Sequence, residues 1–207
     1  MALITERDVE ILQFINRFGF CQMPHICRRF NLGRTRHYQV MERLIKSGFV
    51  KHEFIFYRQH GVYRLSKAGA ALTNLRPLKS VPVAIFNHEI TLIDLYLLLT
   101  EKFPEAVWMS ERELIADKYA MGIGNKGHIA DGLLIFPDGR IIAIELELSI
   151  KGRARSARIF RQYSAQFDIH EVWYFCTADV AHALRDVAAK TPVIKLYLLK
   201  EWLDAKS

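Results

Sequence analysis

No CxxC pair and no cysteine–histidine spacing occurs in the chain; its three cysteines, Cys21, Cys27 and Cys176, stand apart. A disulfide framework and a cysteine-based metal site are therefore not expected. Reduced, buried thiols in a cytoplasmic protein fit the pattern. No run of about eighteen or more apolar residues is present, so no transmembrane helix and no membrane partner are expected. The opening MALITERDVE lacks the basic start and long apolar stretch of a signal peptide. Internal repeats and low-complexity tracts are missing as well. The glycine-rich stretch from Gly122 to Gly127 lacks both the spacing and the Lys-Ser/Thr pair of a P-loop, which excludes a nucleotide site of that kind. It reads as a flexible lip, with Lys126 placed to touch a phosphate.

What is present is a hydrophobic share of 51%, enough to build a core. There is also a net charge of +7, and it is unevenly spread. Residues 1–80 hold 14 of the 29 Lys/Arg and 5 of the 22 Asp/Glu, a balance of +9; the remaining 15 and 17 give −2. A basic first module joined to a near-neutral second one points to a polyanionic partner for the first.

The first module carries helix signals in quick succession. Thr5 is placed as an N-cap with Asp8 at the capping-box position, Val9, Leu12, Ile15 and Phe18 mark an apolar face, and Gly19 ends the helix. A second helix is expected over about Met23 to Phe30. After the turn Asn31-Leu32-Gly33, a third is expected over about Arg34 to Ser47, with Val40, Met41, Leu44 and Ile45 inward. Strands are expected over Phe49 to Tyr57 and Val62 to Leu65, and a further helix from Ser66 to Leu75. Three helices followed by a hairpin is the order of a winged helix-turn-helix domain, here residues 1–78. Its third helix would carry Arg34, Thr35, Arg36, Tyr38, Gln39, Arg43 and Lys46 outward, with Arg58 and His60 at the wing tip. Arginine and glutamine read base edges, and the others suit phosphates. Double-stranded DNA is the expected partner; a solvated basic face and a protein-binding winged helix are the alternatives.

Pro77 and Pro82 flank a linker, and a second domain is expected over 85–207. His88 to Phe103 reads as a long helix whose Asp94 is either a satisfied polar group or a fourth acid at a site. Val107-Trp108-Met109 is a strand candidate, and Ser110 to Glu113 a capping box. After a hairpin come an arginine-bearing helix with Arg153, Arg155, Arg158 and Arg161, a strand over Val172 to Cys176, a helix over Asp179 to Ala189, a strand over Val193 to Leu198 and a short end. The expected class is α/β (α+β) around a mixed sheet.

The hairpin, His128 to Lys151, holds the most informative residues. Its strands are apolar, yet they carry Asp131, Glu145 and Glu147, and acids in apolar strands need a reason. Taking Pro137-Asp138-Gly139 as a three-residue loop, a type I turn closed by a left-handed glycine, sets Phe136 opposite Arg140. Counting back, Asp131 faces Glu145, and Glu147 shares that face by the two-residue period. A two-residue Asp-Gly turn would instead separate the acids. Convergent carboxylates suit Mg²⁺ or Mn²⁺. The alternative is a structural network in which Glu145 and Glu147 pair with the arginines that follow.

An Asp on one strand, Glu-x-Glu on the next and a basic helix afterwards resembles the PD-(D/E)xK nuclease core. That resemblance implies metal binding at Asp131 and Glu145, with Glu147 where lysine is usual, as third ligand or base. Lys151 returns a cation to the site if the strand ends before it and the chain bends back. Water attack is then expected; Tyr163 is the one tyrosine beside the arginines and the remaining candidate for a covalent nucleophile. The wider pattern is winged helix, SEREL, H-I-x-DG and E-x-ELS-x-K. It resembles the replication-relaxation family of mobile elements, which includes MobC-type plasmid relaxases. The resemblance implies a metal-dependent DNA nicking endonuclease in plasmid mobilisation or replication. The competing expectation is a non-catalytic DNA-binding regulator or accessory factor using its second domain for partner contact or as a homodimer.

Overall fold

The computed structural model describes residues 4–31, 33–122 and 127–204, with Arg34 and Arg153 described in their backbone alone. Leu32 of the expected turn and Lys126 of the expected lip lie outside the described residues. The protein is of mixed α/β class and divides into two compact units, 1–97 and 98–207. The division falls inside a helix rather than at the proline-flanked linker.

In the first unit, α1 (Glu6–Phe18) starts as the residue pattern requires. The Thr5 hydroxyl accepts from the Asp8 amide while the Asp8 carboxylate accepts from the Thr5 amide, and Gly19 closes the helix at φ +83. α2 (Met23–Phe30) and α3 (Arg34–Lys46) follow, with His37, Met41 and Leu44 buried on α3. β2 (Val50–Glu53) pairs antiparallel with β3 (Val62–Leu65), and a short strand β1 (Phe20–Gln22) joins the other edge of β3. The sequence reading has no counterpart for β1, because three residues between two helices carry no period. β2 is shorter than expected because Phe54 to Tyr57 leave the ladder. The helix expected from Ser66 to Leu75 is one turn, α4 (Lys67–Ala70), capped by Ser66.

A 3-10 turn (Val83–Ile85) leads into α5 (Phe86–Lys102). The stretch Val83–Lys102 has the length and composition of a membrane span. Its Ile93, Leu95 and Leu99 are wholly buried in the fold, so a core position accounts for its apolarity.

The second unit is built on a five-stranded mixed sheet in the order β4-β5-β6-β7-β8. β4 (Val107–Ser110), β5 (Gly132–Ile135) and β6 (Ile141–Glu147) pair antiparallel in that order, whereas β6, β7 (Glu171–Cys176) and β8 (Ile194–Leu198) pair parallel. α6 (Glu111–Ala120) follows β4 behind a Ser110–Glu113 capping box. Parallel neighbours need crossovers, and α7 (Arg153–Ser164) and α8 (Ala178–Ala188) supply them. Both pack on one face, where Ile159, Phe160, Tyr163, Val180 and Leu184 meet Ala143, Val172, Tyr174 and Cys176. On the other face Phe103 and Trp202, from the end helix α9 (Leu199–Asp204), pack against Trp173. Gly132 is required there: a Cβ would stand 2.2 Å from the Trp108 ring.

Candidate functional site

The β5–β6 turn places the acids. Gly139 has φ +87, its amide donates to the Phe136 carbonyl at 3.0 Å, and the Phe136 amide donates to the Arg140 carbonyl at 2.8 Å. This is the three-residue turn, and the ladder Ile135↔Ile141 to Gly132↔Ile144 follows from it. One step further brings Asp131 level with Glu145, as the turn geometry requires. β5 ends at Gly132, and there the Asp131 Oδ2 accepts the Leu146 amide at 2.7 Å, standing in for the next ladder carbonyl.

Glu145 and Glu147 lie on the face covered by α7 and are 6% exposed each. An ionised carboxylate there needs donors. Glu145 Oε1 takes two: the Tyr163 hydroxyl, in a very short bond, and His128 Nε2 at 2.6 Å. The His128 ring also stands edge-on to Tyr163, 5.5 Å between centroids. Glu147 is met by the Lys151 ammonium at 3.1 Å. β6 ends at Glu147 and the chain bends back before α7, which is the condition under which Lys151 reaches the acids. Among the described residues, the partners of the buried glutamates are thus a histidine, a tyrosine and a lysine; Arg155, Arg158 and Arg161 are exposed.

These contacts set the protonation chemistry. Burial pushes the Glu145 carboxyl above the usual range and the nearby Asp131 charge adds to this, against the pull of the His128 and Tyr163 hydrogen bonds. Burial works against a charged His128, but the hydrogen bond and charge of Glu145, with Asp131 behind it, outweigh that and hold the imidazole above its ordinary value. Tyr163 is pushed far up by burial and by Glu145, and its hydroxyl is committed to that carboxylate. The Tyr163 hydroxyl is buried and serves as a donor to the Glu145 carboxylate. Tyr174, level with Glu145 across the parallel ladder, is raised by burial and then by all three carboxylates. Cys176 is pushed up to about 11 by burial and by Glu147. Among the described residues, no group of three or more His, Cys, Asp and Glu side chains is arranged to hold a metal ion.

His128 and Tyr163 are the partners that residue patterns did not assign. The signals were present but weak: His128 stands three residues before Asp131, and Tyr163 ends the apolar side of α7.

In the first unit, Thr35, Arg36, Tyr38, Gln39 and Lys46 are exposed on α3, and Arg58 and His60 on the loop between β2 and β3. Lys46 pairs with Glu42 at 2.6 Å. Arg43 is half-exposed, and its guanidinium donates to Asp8 at 2.6 Å, whose carboxylate is 1% exposed. Asp94 is a partner of the buried His25, whose Nε2 lies 3.4 Å away, which is the satisfied-polar-group reading.

No family model, curated protein or solved structure matches the chain.

Proposed function

We propose that this protein binds double-stranded DNA through its first unit and cleaves a phosphodiester bond at the Asp131–Glu145–Glu147 cluster of its second. The observation that carries the reading is the cluster itself: two buried glutamates and an aspartate on adjoining strands, with a lysine bent back onto them. The element order supports it. α5, the antiparallel β4-β5-β6, α7 and the parallel β7 follow the sequence of elements in a PD-(D/E)xK nuclease core. The three helices and three-stranded sheet of the first unit likewise suit a winged helix, with α3 as recognition helix. The replication-relaxation resemblance adds nicking in plasmid mobilisation or replication as the setting.

Hard carboxylate oxygens fit Mg²⁺ or Mn²⁺, and a cation would offset the charge of the three acids. Asp131 and Glu145, set level by the hairpin register, would hold it with water completing the shell, since the three acids as they stand form no ready metal cage; when bound, such an ion stabilises charge on the scissile phosphate and acidifies water. The chain's own groups do the rest. Tyr163 and His128 fix the Glu145 carboxylate. The Lys151 ammonium brings positive charge to Glu147, where lysine is usual. Arg155, Arg158 and Arg161, exposed on the helix that covers the acids, are available to the DNA backbone.

A second reading, a non-catalytic DNA-binding regulator or accessory factor, is favoured by one observation. Each acid already has protein donors: His128 and Tyr163 on Glu145, Lys151 on Glu147, the Leu146 amide on Asp131. Supercoiled plasmid carrying the cognate origin, incubated with Mg²⁺ or Mn²⁺, separates the two. Nicking by the parent that is lost in Asp131→Asn, which keeps an acceptor for the Leu146 amide, supports cleavage. Equal nicking by that variant refutes the site. Specific binding without nicking by the parent leaves the regulator reading.

A further inference from the structure

The loop between β2 and β3 exposes aromatic surface where a DNA-contacting hairpin needs only charge. Phe54 is 74% exposed and Tyr57 87%. Two neighbours in the same loop are used internally: Phe56 packs edge-on against Phe86 at 5.0 Å, and Ile55 rests on the cluster of Phe20, Val62 and Phe86. The hydrophobic needs of the loop are met by those two, so Phe54 and Tyr57 are not core residues left short of partners. Phe54 is the outer end of a ring ladder. Tyr63 stacks on His52 at 4.4 Å with the planes 12° apart, and His52 meets Phe54 at 4.9 Å. Gly61 makes the ladder possible, because a Cβ there would lie 2.2 Å from His52 Nε2. Arg64, gripping Glu53 at 2.9 Å, fixes the end of β2 from which Phe54 departs.

At the tip, the Arg58 guanidinium lies over the Tyr57 ring at 5.1 Å. Arg58 holds φ +58, a left-handed conformation that costs a non-glycine residue free energy and marks places where the side chain matters. Beside it, Gln22, Arg58, Gln59 and His60 line an open hollow of about 610 Å³. Its walls mix apolar surface with polar side-chain ends, and Gln22 Nε2 is held in place by the His60 carbonyl at 3.1 Å. The unit that carries the loop is the basic one, +9 over residues 1–80 from 14 Lys/Arg and 5 Asp/Glu.

We infer that this loop is a stacking platform for unpaired DNA bases. Exposed aromatic rings backed by cations recognise single-stranded nucleic acid, since every base has a π-face and stacking needs no sequence. A fully paired duplex offers no such face. Phe54 and Tyr57 receive unpaired bases, Arg58 balances the phosphates, and Gln59 and His60 meet base edges in the hollow. The inference rests on the DNA-binding reading of the first unit and adds its preferred form: duplex with a melted or single-stranded segment beside the site read by α3.

The test compares two probes with the full-length chain: a duplex oligonucleotide, and the same duplex with a short internal bubble carrying 2-aminopurine. The parent binds the bubbled probe more tightly and changes the fluorescence of the unpaired 2-aminopurine. Phe54→Ala and Tyr57→Ala each lower affinity for the bubbled probe about tenfold and leave duplex affinity within about twofold, and Tyr57→Trp restores bubble binding. Both residues are exposed, so thermal melting of the variants stays at the parent value. A parent that binds both probes equally, or variants that bind the bubble as tightly as the parent, overturns the inference while DNA binding stands. A parent that binds neither probe overturns DNA binding, and the inference with it.

Discussion

Glu145 shows what a single buried charge demands. Its two donors come from distant parts of the second unit, His128 before β5 and Tyr163 at the end of α7. Tyr163→Phe removes a donor without changing shape, and an under-satisfied buried carboxylate costs about 1–3 kcal/mol. Urea unfolding of the variant should show a loss of that size with an unchanged m-value, larger than the change for Ser164→Ala on the same helix. His128 adds a pH dependence. Its folded value is raised above the ordinary value of about 6.5, so its stabilisation is complete below that pH and is lost as pH rises through the folded value. Glu145 acts in the same direction, because the folded chain keeps that proton to higher pH than the unfolded chain. His52, lowered by burial, titrates below its ordinary value and leaves this window clear. Stability should therefore fall for the parent as pH rises above about 6.5 and stay flatter for His128→Gln, as read from urea midpoints. At this scale the residue pattern identified the three acids and Lys151. It left their donors unassigned, because a hydrogen bond across seventeen or eighteen positions leaves no local mark.

Among the elements, α3 carries two arginines of opposite use. Arg36 is exposed, whereas Arg43 is spent on Asp8. The Asp8 carboxyl feels burial first, yet the bonds to Arg43 and Thr5 hold it below its usual range. Arg36→Ala should weaken DNA binding with stability within about 0.5 kcal/mol of the parent. Arg43→Ala strands a buried charge and should lower stability by about 1–3 kcal/mol, measured by the same denaturation. Helix period alone assigned both residues to the surface. It left the Arg43–Asp8 pair unassigned, because a long side chain reaches across its helix to a partner that only packing of α1 supplies. The hairpin element behaved differently. Pro137-Asp138-Gly139 specifies one turn, the turn specifies the register, and the register specifies which residues face one another. That chain of consequences is local, so the opposition of Asp131 and Glu145 was readable before any coordinates.

For the molecule as a whole, charge partition is the feature with the widest reach. Four exposed cations of the first unit, Arg36, Lys46, Lys51 and Arg58, would each release counterions on meeting a phosphate. About four such contacts imply that raising salt from about 50 to 200 mM lowers DNA affinity roughly a hundredfold, and filter binding over a salt series measures the slope. A flat salt response would set the basic half of the chain against its proposed use. The amino-acid sequence by itself determined the helix caps, the α3 bounds, the hairpin register and the mixed α/β class, since each depends on residues a few positions apart. Tertiary structure alone decided that β1 completes a sheet, that Arg43 and Asp94 serve the fold, that Tyr163 is a donor to Glu145, and that Phe54 and Tyr57 remain outside the core. Burial, pairing and exposure are properties of what the chain brings together, and neighbours distant in sequence are set by the folded chain.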